Sequence, residues 1–257
     1  MNKFNYKKYL LKKLRKLKSS FNYFLNDKIQ INFNVIRHTD SLYQLSNILK
    51  RKSKSVILDV GAHNGETIKK IKTISAKSIV HSFEPSAENY ERALKISKSY
   101  SQSFVYNFGL GEKNGMFEFF HNDSSTTSSF LPLVEGNPFG KYWEYIDQVK
   151  LKKKVKLKLM SLDQWITTQD IRDIDLLKID TQGFELSVLK GSVNLLSSKK
   201  IRNIILEIMN VDVYENQCSF NEIYSFLSSF GYKLKAIVDP DYSMDGYLRQ
   251  ADYIFSF

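Results

Sequence analysis

From residue 55 onward the chain repeats one pattern: a short apolar run, a turn, then a segment with helical spacing. "SVILDV" (55–60), "SIVHSFEP" (78–85), "SFVYNFGL" (103–110), "DIDLLKID" (173–180) and "IRNIILEI" (201–208) read as strands. Helices are expected at 64–75, at 86–98 with Ser86 as N-cap, and at 183–196. Strands alternating with helices build parallel βαβ units, so the expected fold is a doubly wound α/β sheet.

The rhythm breaks between residues 110 and 160. "GEKNGMFEFFHN" reads as a turn and an extra strand, and "DSSTTSSF" (123–130) as a polar loop. Pro132, Pro138 and the aromatics Phe139, Tyr142, Trp143 and Tyr145 follow. "VKLKKKVKLKLMSLDQWI" gives one further strand and a helix opened by Ser161 or Asp163. A helix at 220–230 and the strands "YKLKAIV" and "ADYIFSF" finish the chain. At 257 residues, 42% apolar and without a Pro/Gly/Ser-rich linker, the sequence predicts a basic extension over 1–45 and one domain over 46–257.

The net charge of +11 is uneven. Residues 1–20 hold eight Lys and Arg and no acid, with Leu10, Leu14, Leu17 and Phe21 at helical spacing. That is a basic amphipathic helix, suited to an anionic membrane surface or to packing on its own domain. No apolar run reaches the roughly 18–20 residues that span a membrane. One cysteine, Cys218, fits a reducing compartment. The expected location is cytoplasmic, peripheral at the inner membrane face.

"VILDVGAHNG" (56–65) ends a buried strand in Asp59 and places Gly61 and Gly65 just beyond it. A glycine turn between a first strand and its helix is where doubly wound folds admit a cofactor. The spacing is neither the dinucleotide fingerprint nor a phosphate loop. The second strand ends in Glu84, about 20 residues on, where a carboxylate can accept two hydrogen bonds from a ribose diol. Asp180 ends the strand in "LLKIDTQGFE" and Glu207 ends "NIILE" beside it. Asp180 at the sheet's carboxyl edge suits a general base, a metal ligand or a structural acceptor. Together the two acids suit binding a substrate hydroxyl or a cation.

These stretches, with "VHSFEPSAENYERA", "VYNFGLGEKNGMFEF", "DLLKIDTQGFELSVLKGSVNLL" and the closing "GYKL…ADYIF", resemble the FkbM-type S-adenosylmethionine-dependent methyltransferases over residues 50–257. The family more often has Glu where Gln182 stands and Ile or Val near Asn64. The resemblance implies a class I methyltransferase (Rossmann-like) fold, a mostly parallel seven-stranded sheet with its last strand antiparallel. It implies that the methionine part of the cofactor lies over Asp59 to Gly61, that Glu84 holds the ribose, and that Asn107 to Gly109 flank the adenine. The implied cofactor-binding set is Asp59, Gly61, Ala62, Asn64, Gly65, Glu84, Pro85, Asn107 and Gly109. No residue is assigned to a metal, and a divalent ion is a further candidate cofactor. The implied activity is methylation of a hydroxyl on a sugar, glycan or natural product.

An alcohol oxygen attacks well only as its proton leaves, so a carboxylate or imidazole within reach is needed. Asp180 is the first candidate and His121, beside the serine-rich loop, the second. His63 more simply shapes the cofactor turn. The aromatics of the insertion suit a sugar face or pack a small subcore. Two rivals are a non-catalytic binding or membrane-docking protein and a nucleic-acid methyltransferase. The chain lacks an N/D-P-P-Y/F tetrad after the fourth strand, and its positive charge sits mainly in the first 20 residues, so no nucleic-acid partner is expected.

Overall fold

The computed structural model describes residues 41–49, 54–136, 138–143 and 148–257. The basic helix expected over residues 5–20, and Tyr145, lie outside the described residues. A first helix, α1 (Ser41–Leu49), buries Leu45, Ile48 and Leu49 against α2 (Glu66–Ile74) and the sheet, so it spans the expected 45/46 boundary.

Among the described residues the sheet has seven strands, each from an expected run. Four are β1 (Val56–Val60), β2 (Ile79–Phe83), β7 (Leu176–Ile179) and β8 (Asn203–Met209). With β3 (Ser103–Tyr106), β9 (Lys233–Tyr242) and β10 (Leu248–Ser256) they lie in the order β3-β2-β1-β7-β8-β10-β9. Only β10 runs against its neighbours. This is the sheet of a class I methyltransferase, as the resemblance implied.

Central strands covered on both faces read as unbroken apolar runs. Ile57, Val80, Leu176 and Ile205 bury one face beneath α1 and α2. Leu58, Val60, Leu177, Ile179 and Leu206 bury the other, against α5 (Leu162–Ile166), α6 (Glu185–Lys190), α7 (Val193–Ser197) and α8 (Phe220–Ser229). The remaining crossover helix, α3 (Ala87–Ser97), starts after Ser86 as expected, and a short helix, α4 (Pro138–Tyr142), precedes α5 in the chain.

Three local differences from the sequence expectation have physical causes. The run 103–110 leaves the sheet at Asn107, whose side-chain amide donates to the carbonyls of Glu84 (3.0 Å) and Pro85 (3.2 Å). Its end becomes β4 (Gly109–Leu110), which pairs with Leu159 and Met160 of β6 (Leu151–Met160). With β5 (Gly115–Asn122) these form a separate three-stranded sheet, the expected insertion. The helix expected over 183–196 is two helices. A Cβ at Gly191 would stand 2.1 Å from the Gly111 carbonyl oxygen, so two backbones meet there. Asp163 then accepts from the amides of Asn194 (2.8 Å) and Leu195 (3.1 Å) and opens α7. Ser161 is the cap of α5, accepting from Gln164 at 3.2 Å.

Helix α8 opens with a reciprocal cap between Ser219 and Glu222. Ser219→Ala removes one acceptor for an orphan N–H, at a cost of about 1 kcal/mol. Thermal unfolding should show a midpoint lower by about 2–4 °C, the shift that 1 kcal/mol makes in a domain of this size. An unchanged midpoint would mean that the cap adds nothing here.

Candidate active site

The candidate site lies along the carboxyl edge of the sheet. Strand order fixes its layout: Glu84 follows β2, Gly61 follows β1, Asp180 follows β7, Glu207 sits in β8 and Gln250 in β10. A cleft of about 360 Å³ runs along these ends. Gly61, Glu84, Pro85, Asn89, Gly109 and Leu110 line it toward β2. Asp180, Gln182, Glu207, Met209 and Gln250 line it toward β8 and β10, with Phe139 and Trp143. Residues Ser125 to Ser128, Phe119 and Phe130, all from the insertion, complete the wall.

The glycine turn is held from both sides. The amides of Gly61 and Ala62 both donate to the Phe83 carbonyl, at 3.0 and 3.1 Å. Gly61 has φ +87, and a Cβ there would stand 1.9 Å from the Asp180 carbonyl oxygen. His63 follows at φ 47, its amide donating to Glu84 Oε2 at 2.8 Å. The other oxygen, Oε1, accepts from the Ser86 amide at 2.9 Å. Burial pushes the Glu84 carboxyl up to about 7, against the pull of the Ser86 and His63 amides and the Asn89 side chain.

A second charged group sits beneath Asp180. Lys178 Nζ lies 3.1 Å from Asp180 Oδ2 and 3.9 Å from Asp59 Oδ1. Burial works against the Lys178 charge, but Asp180, Asp59 and Asp252 outweigh it and raise its pKa. Asp59 is fully buried and its carboxyl is raised by that burial, although Lys178 and the Ser82 hydroxyl oppose the rise. Its Oδ1 is a buried oxygen without a hydrogen-bond donor.

Asp180 is 31% exposed and opens onto the cleft. Burial favours its neutral form, but Lys178 and donation from Gln182 hold it below the ordinary carboxylate range. Glu207 moves the other way, well above that range, because of the Asp180 charge and its own burial. The two carboxyls are therefore coupled, with Asp180 moved down and Glu207 moved up.

Of the residues expected from the sequence, Gly61, Glu84, Pro85, Gly109 and Asp180 line the cleft. Asp59 and Ala62 are buried behind the turn. Gly65 packs tightly on α3, and Asn64 Oδ1 accepts from Arg92 at 3.4 Å. Asn107 acts on the carbonyls of Glu84 and Pro85. His121 is not among the lining residues. Its ring meets Phe119 edge-on at 4.9 Å and stands opposite Lys153 in the β5–β6 pair. Burial, then Lys153, lower its pKa. His63 does line the cleft, with Nε2 at 2.8 Å from Ser125 Oγ. Among the described residues no group of three or more His, Cys, Asp or Glu is arranged to hold a metal ion.

Sequence reasoning missed Gln182 as a site residue. Its amide Nε2 donates to Asp180 Oδ1 at 3.1 Å and to Glu207 Oε2 at 3.0 Å. The polar loop over 123–130 is tied to the site by Ser125 and also by the Ser129 hydroxyl, which donates to the Gln182 carbonyl at 2.8 Å.

The methyltransferase FkbM domain matches residues 59–234. The chain is 24% identical over 184 residues to the 2-O-methyltransferase NoeI of Sinorhizobium fredii (strain NBRC 101917 / NGR234), covering 71% of this chain and 74% of that protein. Among solved structures it is similar to a precorrin-6y C5,15-methyltransferase from Geobacter metallireducens GS-15, at 10% identity and TM-score 0.46 over 84% of this chain and 86% of that one. It is also similar to TrmK of M. capricolum in complex with S-adenosyl-homocysteine, at 14% identity and TM-score 0.46 over 84% and 66%. The match over residues 59–234 makes the chain a member of the FkbM family of S-adenosylmethionine-dependent methyltransferases.

Proposed function

We propose that the chain methylates a hydroxyl of a sugar or glycan, with Asp180 receiving the hydroxyl proton. The observation that carries this reading is the Asp180 carboxyl, ion-paired with Lys178 at 3.1 Å and open to the cleft beside the Gly61 turn. The relative titled a 2-O-methyltransferase supports a hydroxyl acceptor.

The residues present fit the cofactor. Only a glycine leaves room at position 61, where a Cβ would meet the Asp180 carbonyl. The Glu84 carboxyl borders the cleft; with the His63 and Ser86 amides and the Asn89 side chain on it, it keeps acceptor capacity for a ribose hydroxyl. When bound, the cofactor supplies a methyl group on a sulfonium leaving group. The chain's part is alignment and proton removal. Phe139 and Trp143 offer an apolar wall to a sugar ring, and Gln250 and Glu207 offer polar contacts for its hydroxyls. The Asp180 carboxylate repels negative charge, so the reacting hydroxyl belongs to a neutral part of the acceptor.

The test is transfer of a labelled methyl group to a panel of neutral and acidic sugars. The reading expects an alkali-stable ether on a neutral sugar. Transfer only to acidic sugars, as an alkali-labile ester, would overturn it.

Glu84 gives a pH dependence. The free carboxyl titrates at about 7, and a diol donates only to its ionised form. Binding therefore releases a proton below that value, and cofactor affinity should fall about fivefold from pH 7 to pH 6. Glu84→Gln should weaken binding and flatten this dependence. An equally steep fall in the variant would assign the titration to another group.

The charge of residues 1–20 supports peripheral attachment to an anionic membrane. Among the described residues no helix is long and apolar enough to cross one. Flotation with anionic vesicles should lose the protein when residues 1–20 are removed; equal recovery would sink the idea.

A further inference from the structure

Gln182 occupies a costly conformation. Its φ of 57 is left-handed, a region that favours glycine and costs other residues of order 1 kcal/mol. The surroundings hold it there. Glu185 Oε1 accepts from the amides of Thr181 (2.9 Å) and Gly183 (3.1 Å) and from the Thr181 hydroxyl (3.0 Å). The Ser129 hydroxyl fixes the carbonyls of Thr181 and Gln182 from the opposite side. A strained turn clasped on two sides marks a side chain that must point one way.

That direction is set by chemistry. An amide facing two carboxyls turns its NH₂ toward them, since its oxygen would meet two acceptors. Gln182 Oε1 then faces away and lies 3.3 Å from the Tyr214 hydroxyl. Tyr214 is buried and also reaches the Thr127 carbonyl at 2.7 Å, a group that Asn122 Nδ2 serves as well, at 2.7 Å.

We propose that Gln182, backed by Tyr214, is a positioning residue that ties Asp180 and Glu207 into one proton-accepting unit. This rests on the reading of the cleft as a hydroxyl-methylating site. In the step it serves, the acceptor O–H breaks and its proton passes to the Asp180 carboxylate. The freed oxygen pair bonds the methyl carbon, and the pair of the broken carbon–sulfur bond stays on sulfur. Gln182 keeps Asp180 charged and turned to the cleft until that moment, because its two N–H bonds stabilise anionic oxygen on both partners. The other charged and titratable groups facing the pair are Lys178, Asp59, Asp252, Glu185, His63 and Tyr214.

The test is a carbon-13 titration of the side-chain carboxyls in the full chain, with Asp180→Asn and Glu207→Gln spectra to assign the signals. It needs no acceptor, so a failed sugar screen leaves it standing and overturns only the reading of the reaction. Gln182→Met keeps the length and removes the amide. It should raise both carboxyl midpoints, Asp180 by about one unit, the size of a lost charge-assisted hydrogen bond. Tyr214→Phe should move them the same way by less. A purely structural role would lower the melting temperature and leave both titrations in place. Titrations of Gln182→Met that superimpose on the wild type would overturn the proposal. Should that variant not fold, unmoved midpoints in Tyr214→Phe would overturn it.

Discussion

Asp180→Asn is expected to lower the methyl-transfer rate by about 10²–10⁴-fold, the usual contribution of a positioned acid or base. Asn keeps the shape and the hydrogen bond to Gln182 but removes the charge that would take the hydroxyl proton. It also removes the acid nearest to Lys178, at 3.1 Å, and leaves Asp59 at 3.9 Å and the more distant charge of Asp252. A partly buried cation that loses its nearer partner is destabilising, so unfolding by urea should become easier as well. Single-turnover kinetics separate the two effects, because chemistry is then read on folded, cofactor-loaded protein. A rate within threefold of wild type would remove Asp180 from the chemistry and return it to the turn it caps.

Gly61→Ala should be the most damaging single methyl group that can be added to the described residues of the glycine turn. The new Cβ would stand 1.9 Å from a backbone carbonyl oxygen, at φ +87. No rotamer change relieves that contact. The two segments cannot part freely either, because the Asp180 amide donates to the Val60 carbonyl at 3.0 Å and Val60 pairs with Ile179. A loss of about 3 kcal/mol or more is expected in denaturant unfolding, in the range reserved for forced backbone clashes. Gly246→Ala is the control. It has φ +91 with nothing within 4 Å, so it carries only the conformational cost, about 1 kcal/mol. Equal losses in the two variants would mean that the Gly61 turn yields, and that close approach is not what requires glycine there.

The sequence made the sheet legible because its central strands are buried on both faces. "VILDV" and "NIILEIM" carry no polar alternation to confuse with a helix, and both fall where expected. The acids at strand ends were legible for the same reason: an Asp or Glu closing an apolar run marks the sheet's carboxyl edge. What escaped depended on contacts distant in sequence. The extended run 103–110 splits because Asn107 turns back to carbonyls more than 20 residues earlier. Asp163 opens a helix some 30 residues downstream, not its own. Nothing in the sequence around Gln182 shows that Glu207 and Tyr214 stand beside it. His121 sits beside the right loop in sequence, but the β5–β6 pairing places it opposite Lys153 rather than among the cleft-lining residues.

The central claim is that the cleft between Glu84 and Asp180 binds the methyl donor. Calorimetric titration of S-adenosylmethionine into the folded chain, and into Glu84→Ala, tests it directly. The account predicts saturable one-to-one binding by the wild type and a loss of at least tenfold in affinity in the variant, since two hydrogen bonds to a buried carboxylate disappear. Undiminished binding by a folded Glu84→Ala protein would put the cofactor elsewhere and contradict the account.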